Sequence, residues 1–322
     1  MKKLQLLFSR EQSPRKGLMA LEWVVMGYLS FTLIFMCLTY TQLANPDAML
    51  WLRVRVVGMT AAAWAVYRAY PCRLTLLARV VVQLSLLSVW YPDTYELNRF
   101  LPNLDHLFAQ WEQQLFGCQP SLVFCESWTH PVFSELMDLG YASYFPMIAL
   151  VAMFYFIFRY NEFERASLVI MASFFIYYVV FVFLPVTGPQ YYYQAVGLDT
   201  IAKGIFPNIH DYFNHTQERM VSPGWHDGFF YKMVENAHEA GERPTAAFPS
   251  SHVGISTVLM LLAWHTRQMK LVWLLVPFFV LMFFATVYIR AHYAIDALAG
   301  LVSGGLLYAV LMKATQPAGA VE

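Results

Sequence analysis

The sequence predicts an all-α integral membrane protein that crosses the bilayer about eight times. Of its 322 residues, 58% belong to the set AVILMFWYC and only 13% are charged. Soluble domains are typically about 45–50% apolar and about 25% charged, so this composition excludes a water-soluble globular fold. Apolar runs of roughly 20 residues, the length that crosses about 30 Å of hydrocarbon as a helix, recur along the chain.

Eight of these runs are predicted to be membrane spans. The basic segment 1–17 precedes the first run without a small-residue cleavage site, which favours a retained first span over a signal peptide. The predicted spans cover approximately residues 18–43, 51–70, 74–92, 139–158, 167–186, 251–266, 271–288 and 294–312.

The distribution of Lys and Arg predicts that both termini are cytoplasmic. With the N-terminus inside, 13 of the 21 basic residues fall on short inner segments, where positive charge is retained. Two long segments, 93–138 and 187–250, then lie on the extracytoplasmic side. The expected location is a multi-pass protein of the plasma membrane, or of the inner membrane in a bacterium.

The first outer segment contains an amphipathic helical pattern. Two interpretations stay open: a helix lying on the bilayer surface, or a cap packed on the ends of the spans. One face carries Asp105, Gln110, Glu112 and Gln113, and the other carries Leu104, Leu107, Phe108, Trp111, Leu115 and Phe116.

Charge and cysteine content argue against nucleic acid and structural zinc as partners. Lys plus Arg and Asp plus Glu each number 21, so no nucleic-acid-binding surface is expected. The four cysteines show no spacing typical of structural zinc, and no metal or other cofactor is predicted. Cys118 and Cys125 lie in the first outer segment, where an oxidising compartment permits a disulfide; the sequence leaves their pairing open.

Three short motifs lie at the outer ends of predicted helices and suggest a phosphate site. The first is Arg243-Pro244, whose guanidinium can bind phosphate oxygens with two parallel hydrogen bonds. The second is Pro249-Ser250-Ser251-His252, in which Ser250 and Ser251 offer hydroxyls and free N–H groups at a helix start. The third runs from Arg290 to Asp296.

His292 and Asp296 are four residues apart and therefore share one face of a helix. We expect Asp296 to accept the Nδ1 hydrogen of His292, which leaves the Nε2 lone pair free and makes His292 a candidate nucleophile. His252, at the start of a neighbouring helix, is the candidate general acid.

In these motifs the sequence resembles the type 2 phosphatidic acid phosphatase (PAP2) superfamily over about residues 185–312. The family motifs read Lys-x6-Arg-Pro, Pro-Ser-Gly-His and Ser-Arg-x5-His-x3-Asp. The resemblance implies a PAP2-type helical core and a lipid phosphate substrate. It also assigns roles to residues of this chain: phosphate binding to Arg243 and Ser250, the acid to His252, a phosphohistidine to His292, and its orientation to Asp296.

Three positions depart from the family motifs. The first-motif Lys position is Asn236, the Gly of the second motif is Ser251, and the Arg of the third motif is Thr286. Two cations of the family's phosphate site are thus missing. Lys232, four residues before Asn236, and Arg290, two before His292, are the predicted replacements.

Further short strings resemble the branch that contains inositol phosphorylceramide synthases, which transfer a phosphorylated head group between lipids. The resemblance therefore implies a phospholipid donor and a lipid alcohol acceptor, and a PAP2-type lipid phosphate phosphatase is the alternative. The strings are Gly188-Pro189-Gln190-Tyr191, Leu115-Phe116-Gly117-x-x-Pro120-Ser121, Phe248-Pro249-Ser250-x-His252 and His292-Tyr293-x-x-Asp296.

The predicted organisation has three parts. Residues 1–17 form a cytoplasmic segment, 18–138 the N-terminal membrane helices with the outer amphipathic segment, and 139–313 a catalytic membrane domain that includes the outer loop 187–250.

Other classes of function fit the sequence less well. A metal hydrolase lacks a His-Glu-x-x-His or similar ligand spacing. A transporter is expected to carry ionisable groups inside its spans, whereas the few here, such as Glu22 and Arg79, lie toward the cytoplasmic ends. In a scaffolding protein the three motifs at the outer helix ends would have no function.

Overall fold

The computed structural model describes residues 2–316 and is helical throughout, with no β-strand among these residues. Met1, which belongs to the predicted cytoplasmic segment, lies outside the described range, as do residues 317–322. The first five helices are α1 (Lys2–Phe8), α2 (Ala20–Thr39), α3 (Pro46–Ala69), α4 (Arg73–Ser85) and α5 (Leu87–Asn98).

A middle group of short helices connects the N-terminal bundle to the long α10. The short helices are α6 (Asp105–Phe116), α7 (Pro120–Ser127), α8 (Pro131–Ala142) and α9 (Tyr144–Phe158), and α10 comprises Tyr160–Phe183. The loop that follows contains α11 (Pro189–Val196), α12 (Leu198–Ala202) and α13 (Phe229–Gly241). The chain ends with α14 (Ser251–His265), α15 (Met269–Tyr288) and α16 (Ala294–Ala314).

Six helices of the described chain are long and apolar enough to cross a membrane, or seven if the bent pair α8–α9 counts as one span. The prediction of eight spans is therefore not confirmed. α8 and α9 meet at an angle of 46°. α14, predicted as a full span, has only 15 residues, about 22 Å of helix. Because α14 is packed among other helices and is buried along most of its length, it does not need the length of a lipid-exposed span.

Both ends of the described chain lie at the same end of the helix bundle. Arg15 pairs with Glu164 at the start of α10, and Arg165 donates to the carbonyl of Met312 near the end of α16. At this end Glu162 also lies 3.0 Å from His265, the last residue of α14. The N-termini of α14 and α16 are therefore at the opposite end.

Two ion pairs link the N-terminal helices inside the bundle. Arg79 on α4 holds Glu22 on α2 with two hydrogen bonds of 2.8 and 2.5 Å, and both side chains are fully buried. Arg53 on α3 holds Asp93 on α5 in the same bidentate way. Because an unpaired charge inside a membrane protein costs several kcal/mol, each pair specifies how its two helices face each other.

α6 packs against the ends of the bundle, as the interpretation of a cap predicts. Its acidic side is turned inward: Asp105 and Glu112 are buried, together with Phe108. Trp111 and Leu115 are exposed. α6 thus covers the bundle with a face that contains both acids and Phe108. Its other face exposes Trp111, Leu115 and Phe116, as a helix at the bilayer surface also requires.

The two cysteines of this region are free thiols. Cys118 is half-buried, whereas Cys125 is buried and accepts a hydrogen bond from Arg290 at 3.2 Å. The disulfide that the sequence left open is therefore absent between them.

α14 and α16 cross at very short range because glycines line the contact. A Cβ atom placed on Gly304 would lie 2.4 Å from the carbonyl oxygen of Gly254 and 2.9 Å from its Cα. At Gly300 it would lie 2.5 Å from the carbonyl oxygen of Ser250. Small residues allow this approach, and it brings the starts of the two helices together.

We expect Gly304→Ala to push α14 and α16 apart and to lower the thermal unfolding temperature of the detergent-solubilised protein. The control is Gly305→Ala, where the added methyl group meets no atom within 4 Å. That change should be neutral or slightly stabilising, since Ala favours a helix over Gly by about 1 kcal/mol. Equal unfolding temperatures for the two variants would contradict the close crossing.

Candidate active site

Two histidines from different helix starts face each other. His252 lies in the first turn of α14, and His292 lies in the turn before α16. Nε2 of His292 is 3.4 Å from Nδ1 of His252. The ring of His252 packs on Tyr141 and Tyr144, with ring centroids 4.6 and 4.4 Å away. Helix packing thus brings together the two imidazoles that the motifs predict.

The orientation of His292 comes from a backbone carbonyl, in contrast to our expectation. Nδ1 of His292 is 2.8 Å from the carbonyl oxygen of Ala247 but 3.8 Å from Oδ2 of Asp296. Since a carbonyl oxygen only accepts, Nδ1 carries the hydrogen and Nε2 keeps its lone pair. Burial lowers the pKa of His292 to about 4, against the opposing effects of the Ala247 carbonyl and the Glu242 carboxylate. His292 is therefore neutral at pH 7.

Asp296 instead joins the two helix starts. Its Oδ2 accepts a hydrogen bond of 2.8 Å from the backbone N–H of Tyr293, and its carbonyl oxygen accepts one of 3.0 Å from the N–H of Ser250. The hydroxyl of Ser250 caps α14 by accepting from the N–H of Val253 at 3.4 Å. Ser250 and Ser251 are both buried next to His252, so the structure gathers these residues as predicted.

The segment before α11 clamps the loop that carries His292. Gly188 has a φ of 95°, and a Cβ there would lie 2.4 Å from the carbonyl oxygen of Ala291. Only glycine fits both conditions. Two residues later the N–H of Gln190 donates to the carbonyl of Arg290 at 2.8 Å. The Gly-Pro-Gln string therefore positions the backbone on both sides of Ala291.

Asp105 of α6 connects this clamp to the residue after His292. Its Oδ1 accepts hydrogen bonds from the N–H of Gly188 (2.8 Å) and the hydroxyl of Tyr293 (3.0 Å). Its Oδ2 accepts from both the N–H and the hydroxyl of Thr187 and from Asn103. Burial raises the pKa of Asp105, and the hydrogen bonds from Thr187, Asn103 and Gly188 counteract this rise.

Glu112 lies seven residues after Asp105 on the same side of α6, and it caps α16. Its Oε1 accepts hydrogen bonds from the N–H groups of Ala294 and Ile295. Burial, followed by the nearby Asp296 carboxylate, raises the pKa of Glu112 to about 8. Glu112 is then mostly protonated at pH 7 and adds little negative charge beside the histidines.

The cations are arranged differently from the prediction. Lys232 on α13 is 60% exposed and lies 3.9 Å from Asp227, so its role as a phosphate ligand stays a prediction. Arg290 has a φ of 65° and directs its guanidinium to the sulfur atoms of Cys125 and Met220. Arg243 donates to the carbonyl oxygen of Glu242. No carboxylate pairs with Arg243 or Arg290 among the described residues, so both can bind an anion after a side-chain rotation.

Several residues of the site were not predicted as such. Gln190 belongs to the Gly188-Pro189-Gln190-Tyr191 string, which gave it no role, and His238 and Glu242 lie in the second outer segment without a motif. These three residues meet only through the folding of that segment. Asp105 and Glu112 were placed on the polar face of the amphipathic pattern. Their spacing of seven residues was the available signal, since it puts both acids on one side of α6.

Among residues 2–316 no three His, Cys, Asp or Glu side chains are grouped so that they could hold a metal ion.

A family model described as PAP2 superfamily matches residues 106–310. This range contains α6 from its second residue, the outer loop and all three motifs. Comparisons with curated proteins and with solved structures give no match.

We expect Asp105→Asn to loosen the clamp and to reduce activity. An amide has one accepting oxygen, so its NH2 group would face the N–H of Thr187 or of Gly188, at a cost of roughly 1–3 kcal/mol. The thermal unfolding temperature and the rate of lipid turnover should both fall. Asp199→Asn, at an exposed position of α12, is the matched control and should change neither. Full activity of Asp105→Asn would show that the position of Tyr293 does not depend on Asp105.

Proposed function

From the premise that the chain belongs to the PAP2 superfamily, whose members are phosphatases or phosphotransferases acting on lipid phosphates, we propose that it transfers a phosphorylated head group between lipids. The transfer passes through a phosphohistidine on His292. The observation that carries this proposal is the contact of 3.4 Å between Nε2 of His292 and Nδ1 of His252. It sets the Nε2 lone pair of His292 against a second imidazole, which donates to that lone pair before substrate binds and can give or take a proton once the donor lipid displaces this contact.

In the first step Nε2 of His292 attacks the phosphorus of the donor phospholipid. The N–P bond forms and the bond from phosphorus to the oxygen of the donor's lipid alcohol breaks. His252, which takes up a proton when the anionic donor binds, gives that proton to the leaving oxygen. The hydrogen bond from Nδ1 to the Ala247 carbonyl stabilises the positive charge that develops on the His292 ring. Arg243 and the N–H groups at the start of α14 are the proposed phosphate ligands, with Arg290 as a further cation.

In the second step the hydroxyl of an acceptor lipid attacks the phosphohistidine. The N–P bond breaks, the new O–P bond forms, and neutral His252 accepts the hydroxyl proton. The acceptor is a lipid alcohol such as ceramide or diacylglycerol. The acid of the first step is the base of the second, as microscopic reversibility requires, so one imidazole serves both halves of the transfer.

The charge of the site favours a phosphodiester donor. Asn236, at the family's Lys position, is exposed, and Thr286 replaces the third-motif Arg. Arg219, a further cation near the site, is neutralised by Glu235 at 2.6 Å. A phosphodiester carries one negative charge and a phosphomonoester up to two, so a site with few free cations suits the diester. The strings shared with inositol phosphorylceramide synthases support the same conclusion.

Hydrolysis is the second candidate function. A PAP2-type phosphatase acting on a phospholipid or a polyprenyl phosphate uses the same phosphohistidine, with water as the acceptor. The two readings differ only in what reaches the phosphorus in the second step.

The proposed side of the membrane is extracytoplasmic. His252 and His292 lie at the end of the bundle opposite to the described termini, and the basic residues Arg159, Arg165 and Arg267 lie at the end with the termini. Retention of positive charge in the cytoplasm then supports a site on the outer side.

The covalent step predicts that a labelled phospholipid transfers label to the wild-type protein and that the N–P bond formed is acid-labile and stable to alkali. His292→Ala should abolish the label. His252→Ala should slow turnover by roughly 10²–10⁴-fold, as expected for loss of a general acid. Labelling that persists in His292→Ala would exclude this mechanism.

Transfer and hydrolysis are separated by the acceptor. We expect a phospholipid donor to yield a new head-group lipid when ceramide or diacylglycerol is supplied, and only slow release of phosphorylated head group when it is not. Both products are followed by chromatography of labelled lipids. Equal release in both conditions without a new lipid would identify the enzyme as a phosphatase.

The topology is tested with single cysteines. A cysteine at Asn208, an exposed position of the outer loop, should react with an impermeant thiol reagent in intact cells. A cysteine at Gln268, exposed between α14 and α15, should react only after the cells are opened. The reverse pattern would place the site in the cytoplasm.

A further inference from the structure

Two buried carboxyl groups, those of Glu112 and Asp296, meet at the start of α16, and we call them the carboxyl pair. Oδ2 of Asp296 accepts a hydrogen bond of 2.8 Å from the N–H of Tyr293. Oε1 of Glu112 accepts from the N–H groups of Ala294 and of Ile295, the latter at 3.3 Å. These three N–H groups belong to consecutive residues of one helical turn. The two carboxyl groups therefore lie side by side.

Each member of the carboxyl pair has one oxygen atom without a partner. Both side chains are fully buried. Within residues 2–316, neither Oε2 of Glu112 nor Oδ1 of Asp296 has a hydrogen-bond partner. A buried acceptor without a donor costs free energy, and native proteins leave few of them. The carboxyl pair therefore lacks one donor hydrogen.

The neighbouring titratable groups do not supply that hydrogen. Tyr193 of α11 and Tyr293 face Glu112 from two other elements, and each has one hydroxyl hydrogen. Tyr193 donates its hydrogen to Gln119, and Tyr293 donates its hydrogen to Asp105. The sequence of α6 contains no Lys or Arg. His106, six residues before Glu112, lies on another side of this helix.

A proton held by one member of the carboxyl pair supplies the missing donor. Two adjacent buried carboxylates repel each other, so such a pair keeps one proton over a wide range of pH. Burial and the Asp296 carboxylate raise the pKa of Glu112 to about 8. Since Oε1 of Glu112 accepts two N–H groups, its proton belongs on Oε2. Asp105, on the same side of α6, has hydrogen-bond donors at both oxygens and needs no proton.

We propose that Glu112 is a positioning residue whose neutral carboxyl donates a hydrogen bond from Oε2 to Oδ1 of Asp296 and thereby fixes the start of α16 and the adjacent His292. The effect on turnover rests on the proposed function, whereas the effect on stability rests on the carboxyl pair alone. When Glu112 loses its proton, the two carboxylates repel each other and the first turn of α16 moves away from α6. His292, one residue before Tyr293, moves with that turn and loses its alignment with the phosphorus.

The first test compares the turnover of a labelled phospholipid by the wild type and by Glu112→Gln over about pH 6–10. The amide oxygen keeps the two acceptor bonds, and the NH2 group donates to Asp296 at every pH. We expect equal turnover below pH 8 and a ratio of variant to wild type that rises by about tenfold per pH unit above it, as loss of one proton requires. The ratio cancels the titration of His252 and His292, which both proteins share. A ratio that is constant over this range would show that Glu112 does not position His292.

The second test measures thermal unfolding and needs no lipid. The pKa of Glu112 is raised from 4.5 to about 8 on folding, so the wild type loses stability as the pH rises between these values and loses no more above pH 8. Glu112→Gln has no such loss. Its unfolding temperature should equal that of the wild type near pH 5 and exceed it by about 5 °C at pH 8. Glu126→Gln, at an exposed position of α7, is the matched control and should follow the wild type at every pH.

The wild type also tests the carboxyl pair if Glu112→Gln fails to fold. In protein labelled with ¹³C-glutamate, the infrared band of a protonated glutamate should be present at pH 7 and should disappear with a midpoint near pH 8. Absence of this band would overturn the proposal, as would equal unfolding temperatures of a folded Glu112→Gln and the wild type at all pH values. If the band and the unfolding temperatures behave as expected but no phospholipid is turned over, the proposed function fails and the carboxyl pair is retained.

Discussion

The close crossing of α14 and α16 is the constraint on which the site depends. Glycines at 300 and 304 of α16 let the two backbones approach, and the hydrogen bond from the N–H of Ser250 to the carbonyl of Asp296 joins their starts. His252 and His292 are each near one of these starts, so their separation of 3.4 Å follows from backbone packing. A side chain larger than hydrogen at the crossing would move both imidazoles apart.

Around this crossing, buried polar groups hold the reacting loop. Asp105 and Glu112 of α6 satisfy N–H groups of the Gly188 segment and of the start of α16, which no other backbone group bonds. Buried carboxylates and N–H groups cost free energy when they are unpaired in a low-dielectric bundle. The hydrogen-bonded arrangement is therefore strongly preferred over the alternatives. The loop that carries His292 is therefore rigid before a substrate binds, which lowers the cost of reaching the transition state.

The sequence anticipated a large part of the site because PAP2 motifs place chemistry at helix starts. His252, His292, Ser250 and Ser251 lie together as their spacing indicated. The four-residue spacing predicted that Asp296 accepts a hydrogen bond from Nδ1 of His292. In the structure the carbonyl of Ala247, 45 residues away in sequence, accepts it instead. Lys232 was chosen by closeness in sequence to Asn236, and the structure places it on the exposed surface of α13 beside Asp227.

By itself the sequence determined the all-helical membrane class, the positions of most spans and the two histidines, because these depend on composition and on local spacing along one helix. The tertiary structure alone decided that α14 is shorter than a span, that the acids of α6 point inward, and that Gln190, His238 and Glu242 meet. These features depend on contacts between segments far apart in the chain. Such contacts are set by backbone approach and by the satisfaction of buried polar groups, and neither is encoded in local periodicity.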